Sequence, residues 1–422
     1  MDHNTGSRRP ANTGSYSRPL SGQERRGSIT PGTQRSGSYP PYGRQQEPNR
    51  SGRAAQPNKG GKRLRHEAPW WAAAGRYMLY GLAFILTAAA SLVLILAVSL
   101  KMMCSGSFPD LQSRLVTTFL ETGQLKFVPS LFLSSEKIQA IVDKNSMAEF
   151  KEEVDSGLIN IGGAGSIDLS AEEKEWGDIE IFEVKGSTYY GTMIYLKDPS
   201  RLSVATIFPW RSTGVTLDEL VESAGAIGGI NGGLYNSYNN SGGAPYGVVV
   251  SNGEIQLNEP QSWPGLVLIG LTDEHILQII DVSSMTPGDV VALVEEKHIR
   301  DAVTFQEESS DANNHFVQLI INGEAREMNG AGSGLNPRTA IGQRADGSLL
   351  LLVTDGRGKN GHTGASAFDL INIMMKYGAV NAANLDGGSS SCMYYEGEYL
   401  MDSVTFYYSN SSWKLPAGFV IK

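Results

Sequence analysis

The chain has 422 residues, which is long enough for one large domain or two, together with additional segments. Its formal net charge of -9 is unevenly distributed, because residues 1–76 hold 14 Lys and Arg against 4 Asp and Glu, whereas residues 102–422 hold 20 against 40. Its two cysteines, Cys104 and Cys392, exclude a disulfide framework and a cysteine-based metal site.

The N-terminal segment, residues 1–76, is rich in Arg, Ser, Gly, Pro and Gln, with no hydrophobic periodicity. Such a composition cannot bury enough apolar surface to offset the entropy of the chain. We therefore expect a disordered, basic, cytoplasmic tail. Its charge would attract anionic lipid or nucleic acid, but a solvated tail is the simpler interpretation and no nucleic-acid partner is expected.

Residues 77–100 form an uncharged apolar stretch, YMLYGLAFILTAAASLVLILAVSL. As a helix this stretch would be roughly 36 Å long, enough to cross a hydrocarbon core of about 30 Å. The long basic region before it argues against a cleaved signal peptide. Basic residues on its N-terminal side predict a cytoplasmic N-terminus, a single-pass anchor in the cell membrane and an extracellular remainder.

Residues 101–177 are expected to form a partly helical stalk, because a stretch around 135–154 combines helical spacing with charge. Strand patterns then begin at IEIFEV (179–184), TYYGTMIYL (188–196) and LSVATIF (202–208). Strands alternate with a few helices from there on. The pattern predicts an α+β domain over 178–422, with a mixed β-sheet core flanked by helices.

A short helix followed by an apolar strand is predicted over 216–233. Thr216 and Glu219 have the spacing of a capping box, and Gly225 is typical of a helix end. The strand then leads to the polar-Gly-Gly sequence Asn231-Gly232-Gly233.

The same scheme recurs over 366–388. Ser366 and Asp369 begin the helix, Gly378 ends it, and a strand leads to Asp386 and its Gly-Gly pair. Two units that end alike suggest two strand ends that face one cleft.

A hairpin is predicted between these two units, because Asp346-Gly347 is a two-residue turn signal. Its second strand is apolar over 349–353, which indicates burial on both faces. The strand ends in Asp355-Gly356-Arg357, so a second acid is placed at a strand end.

The residues expected around this cleft have a common chemistry. Arginines grip phosphate or carboxylate oxygens, two aspartates can divide acid, base or nucleophile roles, and Gly pairs let backbone N–H groups approach a ligand. The polar residues placed there are Asn231, Arg338, Asp355, Arg357, Asn384, Asp386, Ser389 and Ser390.

Three blocks of the sequence resemble the phosphodiester glycosidase family. They are AIGGINGGLYN, NPRTAIGQRADGSLLLLVTDGR and GAVNAANLDGGSSSCMYYEG, in this order within roughly 220–420. The resemblance implies an α+β domain that cleaves a glycosidic bond whose leaving group is a phosphate, as in removal of N-acetylglucosamine from a sugar-phosphate diester. It also implies a phosphorylated glycan or sugar phosphodiester as substrate, and the predicted membrane anchor would place such a glycan at the cell surface.

Roles for individual residues follow from this resemblance as hypotheses. Asp386 is the nucleophile or base, and Asp355 either orients Arg338 or acts as a second acid or base. Arg338 and Arg357 clamp the phosphate. The expected substrate-binding residues are Asn231, Gly232, Gly233, Thr339, Asn384, Gly387, Gly388, Ser389, Ser390 and His362.

Two other functions are compatible with the same residues. A metal-dependent phosphodiesterase could use Asp355 and Asp386 as ligands, but the sequence shows no His/Asp cluster of ligand spacing, so neither a metal nor another cofactor is expected. A membrane-tethered protein that binds phosphoglycans without turnover would use the same cleft.

Overall fold

The computed structural model describes residues 70–103, 108–148, 152–161, 176–330, 332–405 and 410–422. It divides into two compact units, Met1–Ala73 and Ala74–Lys422, and almost all described residues belong to the second. The predicted tail therefore lies outside the described residues except at its end, and Cys104 also lies outside them.

The helices include the two that the capping patterns predicted. Thr216 with Glu219 and Ser366 with Asp369 both form capping boxes, and Gly225 and Gly378 end the two helices with φ of 62° and 80°. The helices are α1 (Trp70–Met103), α2 (Pro109–Leu120), α3 (Ser135–Asp143), α4 (Leu217–Ser223), α5 (Pro287–Glu296) and α6 (Ala367–Lys376).

Most of the domain is built from short strands. In chain order they are β1 (Ile179–Lys185), β2 (Tyr190–Leu196), β3 (Leu202–Thr206), β4 (Gly228–Asn231), β5 (Gly247–Ser251), β6 (Glu254–Glu259), β7 (Leu266–Thr272), β8 (Leu277–Asp281), β9 (Ile299–Gln306), β10 (Glu308–Ser309), β11 (Asn314–His315), β12 (Gln318–Ile321), β13 (Glu324–Ala325), β14 (Arg338–Arg344), β15 (Leu349–Thr354), β16 (Ala379–Asn384), β17 (Met393–Tyr395), β18 (Glu398–Met401) and β19 (Ala417–Ile421).

These strands form several antiparallel sheets. One has seven strands in the order β1-β2-β15-β14-β16-β12-β13, and two have five strands, in the orders β18-β17-β4-β19-β3 and β6-β5-β9-β7-β8. The small β10-β11 pair is separate. The predicted α+β class is confirmed, and the core that was expected to be one mixed sheet is divided among antiparallel sheets, since each pairing found between these strands is antiparallel.

The central strand β15 shows why the sheets pack as they do. Its predicted hairpin with β14 is confirmed, and Leu349 pairs with Gln343 beside the turn. Leu349, Leu351 and Val353 enter the core shared by the three large sheets, whereas Leu350 and Leu352 pack on the opposite side with α6. Alternate side chains of a strand point to opposite faces, so an unbroken apolar run produces a strand that is buried on both.

Helix α1 differs from the rest of the structure because its side chains are almost all exposed. Its segment Ala74–Met103 has a mean hydropathy of 2.6 and is long and apolar enough to cross a membrane. The predicted helix over 77–100 is thus present. Length and composition are equally consistent with an anchor and with a signal sequence.

Candidate functional site

The ends of β4 and β16 meet, although the two strands belong to different sheets. The Asn231 side-chain amide donates to the Asp386 carbonyl oxygen at 2.6 Å, and the Asp386 N–H donates to the Gly232 carbonyl oxygen at 3.3 Å. Two polar-Gly-Gly strand ends therefore face each other, as the sequence predicted.

Asn231 is the centre of this junction. Its side-chain oxygen accepts from the Thr339 hydroxyl at 2.7 Å and from the Cys392 N–H at 3.2 Å. Both Asn231 and Thr339 are fully buried. Their side chains hydrogen-bond each other and hold the strand ends together, whereas contact with the substrate was predicted from the sequence.

The Asp386 carboxylate lies above this junction. It accepts hydrogen bonds from the Gly387 N–H, at 2.9 Å, and from the Ser390 side chain. Burial raises the pKa of Asp386 from 3.8 to about 6, although these hydrogen bonds and the charges of Arg357 and Lys126 favour its ionised form. The Tyr235 hydroxyl in turn lies 2.9 Å from Ser390 Oγ.

The guanidinium of Arg357 is next to this carboxylate. It donates to Ser389 Oγ at 2.9 Å and to Asn336 Oδ1 at 3.3 Å. Burial, followed by the repulsion of Arg338, lowers the pKa of Arg357 to about 10. Arg357 has a φ of 53°, a left-handed backbone conformation that costs an L-residue roughly 1–2 kcal/mol.

The glycines of the site make room for protein atoms. A Cβ on Gly388 would lie 2.5 Å from the Arg357 guanidinium, and one on Gly233 would lie 2.2 Å from the Thr304 carbonyl oxygen. Gly387 uses its N–H to hold the Asp386 carboxylate. The observed neighbours of these positions are thus protein atoms, and the ligand contact expected from the sequence stays a prediction.

Arg338 is only 4% exposed, and its Nε and Nη2 atoms donate hydrogen bonds to protein groups. It donates to the carbonyl oxygens of Ala365 and Gly334, at 3.2 and 2.8 Å, and forms a buried ion pair with Glu121. Glu121 also accepts from the Gly334 N–H at 2.6 Å. The carboxylate that orients Arg338 is Glu121, so the role suggested for Asp355 was wrong on this point.

Asp355 is directed toward a different set of partners. Its two oxygens accept from the Tyr190 N–H, at 2.8 Å, and contact His362 Nδ1 at 2.7 Å. Asp355 is 1% exposed, whereas the His362 side chain is 29% exposed. Asp355 thus holds the predicted residue His362 and lies beneath it.

Asn384 completes the set of predicted residues. Its amide donates to the Phe316 carbonyl oxygen at 2.9 Å. Its side-chain oxygen is buried and has no hydrogen-bond partner among the described residues. Phe316 also lies under the Arg338 guanidinium, 4.8 Å from its ring centroid.

Several residues that lie near Asp386 and the two arginines were not identified from the sequence. Glu121 and Lys126 come from the segment predicted as a stalk, and Asn336 joins Arg357 to Glu121 through its side-chain amide. Lys126 donates to Asn313 and lies 3.4 Å from His315. No local pattern distinguishes Glu121, which caps the end of α2, or Lys126 from solvated helix charges.

In the part of the chain that the structure describes, no group of three or more His, Cys, Asp or Glu side chains is placed to hold a metal ion. The charged groups around Asp386 are instead cations. This arrangement defines a site for an anionic ligand beside a titratable carboxylate.

Residues 224–422 match the family model described as phosphodiester glycosidase. This part of the chain, which holds both strand ends, matches a phosphodiester glycosidase domain, and the predicted resemblance is confirmed. Strands β2 and β3 precede the matched residues but pair with β15 and β19, which lie inside them, and β1 pairs with β2.

Among known proteins, the chain is 43% identical over 65 residues to the SPbeta prophage-derived uncharacterized protein YomE of Bacillus subtilis, which is 15% of this chain and 10% of that protein. The zebrafish N-acetylglucosamine-1-phosphodiester alpha-N-acetylglucosaminidase catalytic domain, auto-inhibited by its pro-peptide, matches with a TM-score of 0.45 and 16% identity over 60% of this chain and 86% of that one. A hypothetical protein from Synechocystis matches with a TM-score of 0.35 and 18% identity, over 58% and 62%.

The raised pKa of Asp386 predicts a stability difference for Asp386→Asn. Between about pH 4 and 6 the folded wild type binds more protons at Asp386 than the unfolded chain, so its stability falls as pH rises through this interval. The variant lacks this penalty. Above pH 6 we expect it to be more stable than the wild type, by at most about 3 kcal/mol, since one pKa unit corresponds to about 1.4 kcal/mol.

Urea unfolding of the full chain in detergent, at about pH 4 and about pH 7.5, measures this difference. The two proteins should converge at the lower pH. A variant that is less stable than the wild type at the higher pH would show that Asp386 gains more from its partners than burial costs.

Proposed function

We propose that the domain hydrolyses the bond between a sugar's anomeric carbon and a phosphodiester oxygen. The observation that carries this proposal is the Asp386 carboxylate, with its pKa near 6, beside the Arg357 guanidinium inside a phosphodiester glycosidase domain. N-acetylglucosamine 1-phosphodiester, the type of substrate in the zebrafish enzyme's name, is the first compound to test.

The proposed reaction depends on an ionised carboxylate and needs little help from a general acid. The leaving group is a phosphate monoester with a second pKa of about 6, so it departs without a strong proton donor. Positive charge develops at the anomeric carbon as the carbon–oxygen bond breaks. Asp386 in its ionised form either removes the proton from the attacking water or attacks the carbon itself, and both roles use the same carboxylate.

The other residues divide between binding and support. Arg357 is partly exposed and can grip the phosphate, with Ser389 holding its guanidinium. Arg338 is buried and paired with Glu121, and we assign it an electrostatic role in the site without direct contact to the substrate. Asp355 orients His362, and His362 is the member of this pair that is exposed enough to contact the substrate.

The position of the domain follows from α1. The mostly apolar and largely exposed 30-residue segment Ala74–Met103 would in water be far outside the range of ordinary surface patches, and a bilayer would cover it. With basic residues on the N-terminal side, the domain would face the exterior and act on a phosphorylated glycan at the cell surface.

Asp386→Asn should abolish hydrolysis, with a loss of at least about a hundredfold in kcat, because the amide can neither accept a proton nor attack. The assay follows release of N-acetylglucosamine from a 4-nitrophenyl diester of its 1-phosphate. Asp273→Asn, an exposed aspartate in the β7–β8 loop, is the matched control and should behave as the wild type.

Running the reaction in water labelled with oxygen-18 identifies the bond that breaks. Label in the sugar indicates carbon–oxygen cleavage and supports the glycosidase. Label in the phosphate, together with loss of activity in chelator, would instead identify a metal-dependent phosphodiesterase. Binding of the diester without any product would identify a phosphoglycan-binding protein.

The pH dependence of kcat/KM tests the protonation state of Asp386. The ionised form is the active one in this proposal, so kcat/KM should rise with pH and level off above a midpoint near pH 6. The diester remains ionised throughout this range and adds no limb of its own. A rate that falls as pH rises through 6 would assign Asp386 as a general acid and contradict the proposed role.

The orientation can be tested by adding protease to intact cells that express the full chain with an N-terminal epitope tag. We expect cleavage of the part after α1 while the tag survives, and degradation of the tag only after permeabilisation. Survival of the domain in intact cells would place it inside and contradict the proposed orientation.

A further inference from the structure

The segment 108–148, which contains α2 and α3, lies outside the phosphodiester glycosidase domain but reaches its site. Lys126 is the residue of this segment with the most direct electrostatic link to Asp386. Its ammonium donates to Asn313 Oδ1 and lies 3.4 Å from His315 Nε2. The charges of Glu308, Asp386 and Glu121 all favour its protonated form, although burial lowers its pKa.

The charge of Lys126 is held by neutral partners. Asn313 carries no charge, and burial, with the repulsion of Lys126 and Arg338, lowers the pKa of His315 to about 3, so His315 stays neutral near pH 7. Within the described ranges, no carboxylate lies within 4 Å of the Lys126 ammonium. A half-buried ammonium without a paired anion is a site for an anionic ligand.

The neighbouring cations leave this role open. Arg338 forms an ion pair with Glu121 and donates hydrogen bonds to the carbonyl oxygens of Gly334 and Ala365. Among the described residues, the acceptors of Arg357 are neutral, Ser389 and Asn336. Lys126 and Arg357 are therefore the two cations near Asp386 whose charge a substrate phosphate could neutralise.

Segment 108–148 is packed against the domain through close backbone contacts and hydrogen bonds. A Cβ on Gly334 would lie 2.4 Å from the Thr118 nitrogen, so α2 packs directly on this loop. Leu335 N–H donates to the Thr118 hydroxyl at 3.1 Å. At the other end, Ala148 N–H donates to the Glu327 carbonyl oxygen at 2.8 Å.

The segment also has an apolar core of its own. Val116, Leu120, Ile138 and Val142 are each at most 2% exposed and pack together between α2 and α3. Glu121 follows this core directly and enters the buried ion pair with Arg338. The helical pair thus presents Glu121 and Lys126 from a packed scaffold.

We propose that Lys126 binds the substrate phosphate together with Arg357. We also propose that segment 108–148 is a permanent wall of the site, which means that it stays packed against the domain during turnover. This inference rests on the proposed function, because it assigns the phosphate of that substrate to Lys126. Glu121 is a positioning residue that keeps Arg338 and the wall in place.

Lys126→Met tests the phosphate contact in the full chain. Loss of one charge-assisted hydrogen bond should raise KM for the nitrophenyl diester, and the inhibition constant of inorganic phosphate, by about 10- to 100-fold. The value of kcat should fall as well, because the leaving phosphate gains negative charge as the carbon–oxygen bond breaks and its contact with Lys126 then strengthens. Lys126→Arg should recover most of the affinity, and Lys137→Met, on the exposed face of α3, should change nothing.

The outcomes separate this inference from the proposed function. A wild type that binds phosphate but releases no sugar refutes the proposed function, whereas the phosphate affinity of Lys126→Met still reports on Lys126. An active wild type whose KM and phosphate inhibition are unchanged in Lys126→Met refutes the contact.

Glu121→Gln tests whether the segment is a wall. The amide keeps the shape of the side chain but removes the ion pair, so kcat/KM should fall by at least about tenfold if Glu121 positions Arg338. Its pH profile should keep the limb near pH 6, which shows that Asp386 is still in place. Activation by Glu121→Gln would mean that the segment blocks the site, and would overturn the wall.

Discussion

The side chain of Asn231 is the interaction on which the arrangement of the site depends. One fully buried amide binds the backbone of Asp386, the hydroxyl of Thr339 and the backbone of Cys392. Thr339 belongs to β14, Asp386 follows β16 and Cys392 precedes β17, so the amide joins two different sheets at the point where both deliver polar residues. A buried amide must satisfy its hydrogen bonds, and it can do so here only when the strand ends are in register.

Above this junction, the properties of the site come from charges that are held close together away from water. Burial disfavours the ionised carboxylate of Asp386, whereas Arg357 and Lys126 favour it, and the balance places its pKa near 6. The buried pair of Glu121 and Arg338 contributes geometry more than net stability, because desolvation offsets much of its attraction. In the proposed function, the cation that would face a ligand is Arg357, whereas the cation with the buried ion pair is Arg338.

Much of the fold could be predicted because its signals are local. Capping boxes at Thr216 and Ser366, the Asp346-Gly347 hairpin and the apolar run of β15 each depend on a few neighbouring residues, and all are confirmed. The convergence of the two polar-Gly-Gly strand ends was also foreseen. The partner of Arg338 was not, because Glu121 lies 217 residues away along the chain and resembles any solvated helix-end acid.

The sequence by itself determined the secondary structure around the cleft, the apolar helix near the N-terminus, the family and the identity of Asp386 and Arg357 as neighbours in the site. Those features depend on periodicity, capping and short motifs, which are written in adjacent residues. Only the tertiary structure decided that Asn231 and Thr339 are buried and hydrogen-bonded to other protein groups, that Asp355 contacts His362, and that Glu121 pairs with Arg338 while Lys126 lies near Asp386. Which groups share a buried space, and which of them keep an unpaired charge, depends on how distant segments pack.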